Sequence, residues 1–244
     1  MRTAHDGAIV EPPEVALAIG AHPDDIEFGA GGTLAKWARA GTAVHLLILT
    51  DGSKGTWDPS QDLATLVELR HDEARAAAKA IGDGTVHFFD IVDGELESGR
   101  EERAAVCRVI RSVRPEIVLG HDPWQRYRLH PDHRHAGWLT IDGIVAARDH
   151  AFFPETGPPH RPELLLLFEA DEPNHTEDIE TDFDAKLEAL LCHRSQWRST
   201  MGIDASDPAA AAEQTEEFAR RLADLTRPAG EPRLVEQFRV VRDL

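Results

Sequence analysis

Short apolar runs alternate with stretches of helical periodicity through the first half of the chain. The apolar runs are too short to form free-standing helices, so they predict buried strands. These strands are predicted at 15–20, 43–50, 85–89 and 116–120. The stretches that follow them predict helices at 32–39, 63–81, 101–113 and 132–148. This β-α-β-α order predicts an α/β fold with a mostly parallel sheet and helices on both faces.

The second half continues the pattern less regularly. A proline-rich stretch at 154–162 predicts a loop, and an apolar run at 164–168 predicts another buried strand. Helices are predicted at 181–197 and 208–225, and a last strand at 234–241. The 244 residues fit one large domain, 1–244.

Charge narrows the range of partners. The chain has 44 acidic and 26 basic residues and a formal net charge of −18. Such a chain repels nucleic acid and anionic membrane surfaces, which argues against both as main partners. Only Cys107 and Cys192 are present, so a disulfide scaffold is not expected, and both fit amphipathic helices as small buried side chains.

The sequence predicts a cytoplasmic protein. Residues 1–13 contain no apolar stretch of the kind found in secretory signals. No stretch of the sequence reaches transmembrane length, so membrane insertion is not expected.

Two polar clusters follow predicted strands. Residues 22–25 read His-Pro-Asp-Asp directly after the first strand, and residues 130–133 read His-Pro-Asp-His before a later helix. In an open α/β sheet, ligands bind at the carboxyl ends of the strands. Two such clusters at this edge could meet in one pocket that offers imidazole and carboxylate ligands to a divalent metal ion.

The clusters contain enough groups for a catalytic metal site. Such sites use three protein ligands and leave a position for water, and His22, Asp25 and His133 would supply them. Asp24 would lie beside the metal, where a carboxylate can take a proton from water. His130 could stabilise an oxyanion or protonate a leaving group. Asp132 could orient a histidine from behind.

Each cluster alone has a simpler explanation. Residues 22–25 could form a turn and a helix cap, and Pro131-Asp132 could simply begin a helix. The glycine-rich stretch at 27–32 resembles a nucleotide-binding loop, but its spacing is not G-x-G-x-x-G. We interpret these glycines as allowing a helix N-terminus to approach the metal loop closely, with a dinucleotide site as the weaker alternative.

The motifs resemble those of the PIG-L/LmbE family of zinc-dependent N-acetylglucosaminyl deacetylases, in the family's order and over most of the chain. The first piece is Ala-His-Pro-Asp-Asp at 21–25 with the glycines that follow, and the late one is the cluster at 130–133. The other pieces are Thr-Asp-Gly at 50–52, Arg70-x-x-Glu73, and Lys186 followed by His-Arg-Ser-Gln at 193–196.

The resemblance implies a Rossmann-like fold and hydrolysis of an N-acyl group, usually the acetyl of an N-acetylglucosamine unit. It implies His22, Asp25 and His133 as ligands of Zn²⁺, with another divalent ion such as Fe²⁺ as an alternative. It also implies Asp24 as general base and His130 as the group that stabilises the oxyanion or protonates the amine.

The resemblance also implies that Arg70 and Asp93 hold the sugar. Arg70 could instead pair with Glu73 on a helix surface, and Asp93 could be a turn residue before Gly94.

The loop before the late cluster adds further candidates. Trp124 and Tyr127 could stack on a sugar face, because the loop should overhang the pocket, or they could only pack beneath it. His121 is an additional imidazole to which the pattern assigns no role. Asp51, after the second strand, could support His22 or His133 from behind, or cap the turn with Gly52.

These observations predict a metal-dependent amide hydrolase that acts on a small amino-sugar conjugate through a metal-activated water, and a homo-oligomer is one assembly open to it. One alternative is a non-catalytic sugar- or metal-binding protein, although binding alone needs neither Asp24 nor His130. A non-haem iron oxygenase also uses two histidines and one carboxylate. Those enzymes are usually antiparallel barrels, which the β-α alternation argues against.

Overall fold

A computed structural model describes residues 10–244, which contain seven strands and six α-helices. The strands are β1 Val15–Gly20, β2 Ala43–Thr50, β3 Thr85–Ile91, β4 Ile117–His121, β5 Leu164–Phe168, β6 His175–Asp178 and β7 Val235–Val241. The α-helices are α1 Asp25–Arg39, α2 Leu63–Gly82, α3 Arg100–Val113, α4 Pro131–Arg148, α5 Phe183–Cys192 and α6 Pro208–Leu225. Most of the N-terminal segment expected to lack a secretory signal lies outside the described residues.

All seven strands belong to one sheet, in the order β3-β2-β1-β4-β5-β7-β6. The pairings among β1 to β5 are parallel, and β7 lies antiparallel between β5 and β6. The α/β fold with a mostly parallel sheet is therefore confirmed. The chain builds outward from β1 to β3 and then returns to place β4 on the other side of β1. This reversal opens a crevice at the carboxyl ends of β1 and β4, which is where open α/β sheets bind ligands.

The central strands are apolar along their whole length because both faces of the sheet are covered. Ala16 and Ala18 of β1 pack into one core with α1, α2 and α5, whereas Leu17 and Ile19 pack into a second core with α3 and α4. Helix α6 packs outside α5 through a third apolar cluster that includes Phe218 and Leu222. Cys107 is buried, Cys192 is partly buried, and both are free thiols. In the described part of the chain, none of the helices combines the length and apolar character needed to cross a membrane.

The second half departs from the predicted elements in two places. The predicted helix at 181–197 is α5 alone, followed by a 3₁₀ turn, Arg194–Gln196, and a π-helical turn, Trp197–Met201. The helix ends because His193 leaves the helical region of backbone conformation, with φ −78° and ψ 64°. Strand β6 was not predicted, because its short polar sequence carries no apolar alternation and it is an edge strand held only by β7.

Helix α1 begins at Asp25, seven positions before the predicted start at 32, so the glycines lie inside the helix rather than in a loop before it. The interpretation of these glycines as a close approach to the metal loop is therefore wrong. They allow other elements to approach the helix: a Cβ on Gly29 would lie 2.5 Å from Cδ2 of Phe168 on β5, and one on Gly32 would lie 2.8 Å from Cδ1 of Ile179.

A buried ion pair enters the middle of α1. The Lys186 ammonium on α5 donates to the Glu236 carboxylate on β7 and, over 2.6 Å, to the carbonyl of Phe28. The two oxygens of Glu236 accept from the backbone N–H groups of Gly32 and Thr33 at 2.9 and 2.7 Å. In a regular helix the N–H of residue 32 donates to the carbonyl of residue 28. Here Lys186 also donates to that carbonyl, and Glu236 also accepts from that N–H. The ion pair ties α1 to the C-terminal part of the sheet.

The glycine packing of α1 predicts that two neighbouring substitutions lower the free energy of unfolding by different amounts. Gly29→Ala should lower the free energy of unfolding by roughly 1–3 kcal/mol, because the new methyl group overlaps the buried Phe168 ring. Gly31→Ala is the matched comparison, since its Cβ would come no closer than 3.3 Å to another residue, at Cγ of Lys186, and the next atom is Cβ of Glu27 at 3.7 Å. It should destabilise the protein less than Gly29→Ala, because the nearest atom need move by only a few tenths of an ångström. Urea unfolding measures both, and equal stability of the two variants would contradict the packing assigned to Gly29.

Candidate metal centre and active site

The candidate site lies in the crevice where β1 and β4 end. His22 follows β1 by two residues, and the N-termini of α1 and α4 both open at this edge. The positive ends of the two helix dipoles therefore favour negative charge in the crevice. A cleft of about 520 Å³ extends from it.

The three predicted metal ligands meet in this crevice. Nδ1 of His22 lies 3.2 Å from Nε2 of His133 and 3.2 Å from Oδ2 of Asp25. The other oxygen of Asp25, Oδ1, lies 3.2 Å from Nε2 of His133. Two imidazole nitrogens and a carboxylate thus converge from two parts of the chain that are more than a hundred residues apart.

Asp25 also contacts His121, the imidazole to which the sequence assigned no role. His121 ends β4, with Nε2 3.3 Å from Oδ2 of Asp25 and Nδ1 3.2 Å from Oε2 of Glu169. Its ring stacks on that of His133, with centroids 4.5 Å apart. His121 is therefore a functional candidate that sequence analysis left unassigned. Its position directly at the end of a core strand was the available signal.

The electrostatics favour the neutral, metal-binding imidazole at His121 and His133 but the protonated ring at His22. Burial lowers the pKa values of His121 and His133 and so favours the neutral imidazole that binds metal ions. Burial acts to raise the pKa of Asp25, but the imidazoles of His133 and His121 outweigh it and hold that pKa well below its usual range. Burial acts to lower the pKa of His22, but hydrogen bonds to Asp132 and Asp25 raise it well above its usual value.

Asp132 and Asp93 hold the far side of the His22 ring. Nε2 of His22 lies 3.2 Å from Oδ2 of Asp132 and 3.2 Å from Oδ1 of Asp93. Oδ2 of Asp132 also accepts from the N–H of Gly94 at 2.6 Å. Asp51 lies one contact further out: its Oδ1 accepts from the N–H groups of Ser53 and Asp93, both at 2.9 Å. Asp51 thus holds the turn after β2 and the loop that carries Asp93, and reaches His22 only through Asp93.

Asp24 is held in a strained position beside the ligands. Its φ of 105° lies in the left-handed region, and its side chain is almost fully buried. Burial raises the pKa of Asp24 to about 6, against the opposing charge of Arg70, whose Nη2 lies 3.7 Å from Oδ1. A carboxyl group with this pKa can exchange a proton near neutral pH.

Arg70 fixes the loops on either side of Asp24. Its guanidinium donates to the carbonyl of Pro23 at 2.5 Å and to that of Gly52 at 2.8 Å. The alternative i,i+3 pair is not what the structure contains, because Glu73 instead accepts from the backbone N–H and hydroxyl of Ser195 at 2.8 and 2.6 Å. Arg70 and Asp93 both line the cleft.

His130 caps α4 and lines the cleft. Its Nδ1 accepts from the N–H of Asp132 at 3.3 Å, so the simpler capping explanation holds as well. Its ring centroid lies 4.7 Å from that of His22 and 5.1 Å from that of His133. The capping bond leaves the other ring nitrogen free to face a substrate.

The donor set fits a divalent metal ion. Within residues 10–244, three overlapping groups of side chains have ligand atoms within 4.8 Å of one another: His22, His130 and His133; His22, Asp93, His130 and Asp132; and Asp25, His121 and His133. Oδ1 of Asp132 is a buried acceptor without a hydrogen-bond partner in the described structure. Neutral imidazole and carboxylate are the ligands that zinc and ferrous sites share.

Trp124 and Tyr127 do not reach this cleft. Trp124 packs edge-to-face on Trp138 with centroids 5.1 Å apart, and it lines a separate cavity of about 430 Å³ with Arg126. Tyr127 is 86% exposed. The loop turns them away because Asp122 accepts from the N–H of Trp124 at 2.9 Å, which closes a tight turn directly after β4.

His193 and Glu27 are buried behind Asp24, and the sequence predicted no role for either. Nε2 of His193 lies 3.4 Å from Oε1 of Glu27, and both side chains are fully buried. Burial acts to lower the pKa of His193, but the charges of Glu27 and Asp24 raise it. Lys54 and Gln196 line the cleft and were also not predicted as site residues.

The chain is similar to known proteins over the residues that form the metal cluster. A family model described as GlcNAc-PI de-N-acetylase matches residues 17–143. A diacetylchitobiose deacetylase of Thermococcus kodakarensis is 38% identical over 185 residues, 74% of this chain and 69% of that protein. A 4-oxalmesaconate hydratase of Pseudomonas putida is 30% identical over 197 residues, 76% of this chain and 75% of that protein. The solved structure of N,N'-diacetylchitobiose deacetylase from Pyrococcus horikoshii superposes with a TM-score of 0.81 at 30% identity, covering 94% of this chain and 84% of that one.

The ligand geometry predicts loss of metal from one histidine variant and not from its neighbour on the same helix. Purified protein should bind about one divalent ion per chain, and His133→Ala should lose most of it because the cluster loses an imidazole shared by two of its groups. His135→Ala is the control, since Nδ1 of His135 accepts from the N–H of Ser98 at 3.2 Å, apart from the cluster. Elemental analysis measures both, and full metal retention by His133→Ala would exclude it as a ligand.

Proposed function

The chain belongs to the GlcNAc-PI de-N-acetylase family, and we propose that it is a metal-dependent hydrolase that removes the N-acetyl group from an N-acetylglucosamine-type sugar conjugate. The observation that carries the proposal is the convergence of His22, Asp25 and His133 beside a buried carboxyl group, Asp24. The reaction converts an amide and water into acetate and a free amino sugar.

We propose Zn²⁺ as the bound ion, with Fe²⁺ as the alternative, held by His22, Asp25 and His133. When bound, such an ion supplies a Lewis acid that polarises the acetyl carbonyl and lowers the pKa of a water molecule. The donor chemistry supports both ions equally. A homo-oligomer and a cytoplasmic location stay predictions from the sequence.

Asp24 is the proposed general base. Its pKa of about 6 leaves it mostly ionised at neutral pH, ready to accept a proton from the attacking water. It returns that proton to the amide nitrogen as the carbon–nitrogen bond breaks, so the amine leaves in neutral form. Arg70 keeps Asp24 in place through its bond to the Pro23 carbonyl.

His130 is the proposed partner on the carbonyl side. It lies at the N-terminus of α4 and lines the same cleft as Asp24. A hydrogen bond from its imidazole to the carbonyl oxygen strengthens as negative charge develops there. The helix dipoles of α1 and α4 act in the same direction. Arg70 and Asp93 lie on the cleft wall, where they can bind sugar hydroxyls.

One relative has a different activity, hydration, which is the alternative to deacetylation. The hydratase of Pseudomonas putida shares 30% identity, so the same scaffold accommodates addition of water to a carbon–carbon double bond. The comparisons favour deacetylation, because the family model and the more similar relative are both deacetylases. The binding-only and iron-oxygenase alternatives gain no support from either, and the parallel sheet differs from the barrel expected of an oxygenase.

The substrate prediction is tested with three compounds and one metal-loaded preparation. We expect acetate release from N,N'-diacetylchitobiose to exceed release from an acetyl-lysine peptide, because Arg70 and Asp93 offer polar groups for hydroxyls along the cleft. 4-Oxalmesaconate hydration, followed by ultraviolet absorbance, should be slower than either. Faster hydration, or faster peptide deacetylation, would overturn the amino-sugar assignment.

The proton-transfer role of Asp24 is tested by Asp24→Asn. Asparagine tolerates the left-handed conformation, so fold and metal content should be kept. Turnover should fall by about 10²–10⁴-fold, the usual contribution of a general base. The matched control is Asp83→Asn, an exposed left-handed aspartate that ends α2, which should keep full activity. Near-normal turnover of a metal-loaded Asp24→Asn enzyme would remove Asp24 from the mechanism.

A further inference from the structure

A second concavity adjoins the catalytic cleft. The loop 51–62, which links β2 to α2, contributes Lys54 and Gly55 to the cleft wall. The same loop lines a concavity of about 490 Å³ with Lys54, Trp57, Asp58 and Gln61. Lys54 therefore lines both cavities.

The inner half of this loop is fixed to the catalytic residues. The N–H of Lys54 donates to Oδ2 of Asp93 at 3.1 Å, and the carbonyl of Gly55 accepts from Nε2 of Gln196 at 2.9 Å. Arg70 holds the carbonyl of Gly52. Asp93, a proposed contact for sugar hydroxyls, is therefore bonded directly to Lys54, the residue that also lines the second concavity.

The outer half of the loop contains hydrogen bonds of its own. Oδ1 of Asp58 accepts from both the N–H and the hydroxyl of Ser60, at 2.8 and 2.6 Å. The N–H of Gln61 donates to the carbonyl of Asp58 at 3.2 Å. Such a preformed turn binds a ligand with little ordering cost.

The lining has the chemistry of a site for a neutral sugar ring. Trp57 is 74% exposed, and Leu63, which lines the same concavity, is half exposed, so apolar side-chain surface faces solvent. Asp58, Gln61 and Lys54 surround it with hydrogen-bonding groups. A pyranose ring presents an apolar C–H face and a rim of hydroxyls, which matches an aromatic surface bordered by polar side chains.

We propose that this concavity holds the sugar unit attached to the reacting N-acetylglucosamine, with Trp57 as its stacking surface. The enzyme then acts on a disaccharide or longer conjugate in preference to the monosaccharide. The proposal rests on the proposed deacetylase function and adds the position of the second sugar. The cavity beside Trp124 is the less favoured location, because its lining residues differ throughout from those of the cleft.

The first test compares kcat/KM for N,N'-diacetylchitobiose and for N-acetylglucosamine. Trp57→Ala should lower the preference for the disaccharide about 10-fold, mainly through KM, because one ring stack is lost. Trp57→Phe should restore most of it. Leu225→Ala, which truncates an exposed apolar side chain on α6, should leave the preference unchanged. An unchanged preference in Trp57→Ala, or a loss carried by Trp124→Ala instead, would overturn the proposal.

A binding measurement separates this proposal from the proposed function. Two zinc-loaded proteins, Asp24→Asn and the double variant Asp24→Asn/Trp57→Ala, are each titrated with the disaccharide and with the monosaccharide. Disaccharide binding that is tighter than monosaccharide binding and depends on Trp57 supports the subsite. If the parent protein nevertheless releases no acetate, only the deacetylase assignment is overturned. Acetate release without any contribution of Trp57 to disaccharide binding or preference overturns the subsite and leaves the deacetylase assignment intact.

Discussion

The carboxylate of Asp25 is the contact on which the site depends. It accepts from the N–H of His22 at 2.7 Å and lies within 3.3 Å of ring nitrogens of His22, His121 and His133. These imidazoles come from the loop after β1, the last residue of β4 and the first turn of α4, which meet because the strand order reverses at β1. The strand order brings these imidazoles together, and the Asp25 carboxylate contacts all of them. A second layer of acids, Asp93 and Asp132, completes the surroundings of His22.

The cost of burying these charges is met by contacts from every loop at the same edge. Arg70 bonds to carbonyls after β1 and β2, and Asp51 bonds to N–H groups after β2 and β3. A buried polar group is costly only where it lacks a partner. Six buried side-chain atoms in and behind the cluster nonetheless lack a hydrogen-bond partner in the described structure: Oε1 of Glu27, Nε of Arg70, Oδ1 of Asp132, Nδ1 of His133 and both ring nitrogens of His193. Hydrogen bonds between the loops therefore support the site, while several of its polar atoms stay unpartnered.

The strands were predictable because fully covered strands are continuously apolar, as in β1, β2, β4 and β5. The residues at their ends could be predicted because chemistry-bearing side chains followed the strands directly, as at 22–25. The start of α1 could not, since its glycines favour loops by propensity and are helical only because Phe168 and Ile179 pack against them. His121, His193 and Glu27 were missed as a group because their environments are tertiary: each is buried by residues distant in sequence. Trp124 and Tyr127 were predicted to line the cleft because their loop leads into the late cluster. A tight turn at Asp122 directs them away from the cleft instead.

The buried Lys186–Glu236 pair has a consequence for how the protein is made. All the proposed metal ligands and Asp24 lie between residues 22 and 133, and the family model ends at 143. The middle turn of α1, however, bonds to side chains at 186 and 236. During synthesis from the N-terminus, the contacts of residues 186 and 236 with α1 can form only after the last strand has emerged and inserted between β5 and β6. A nascent chain that ends before β7 therefore holds all the acid and imidazole groups of the site but lacks these contacts to the helix that carries Asp25, and it gains them in a late, C-terminal step.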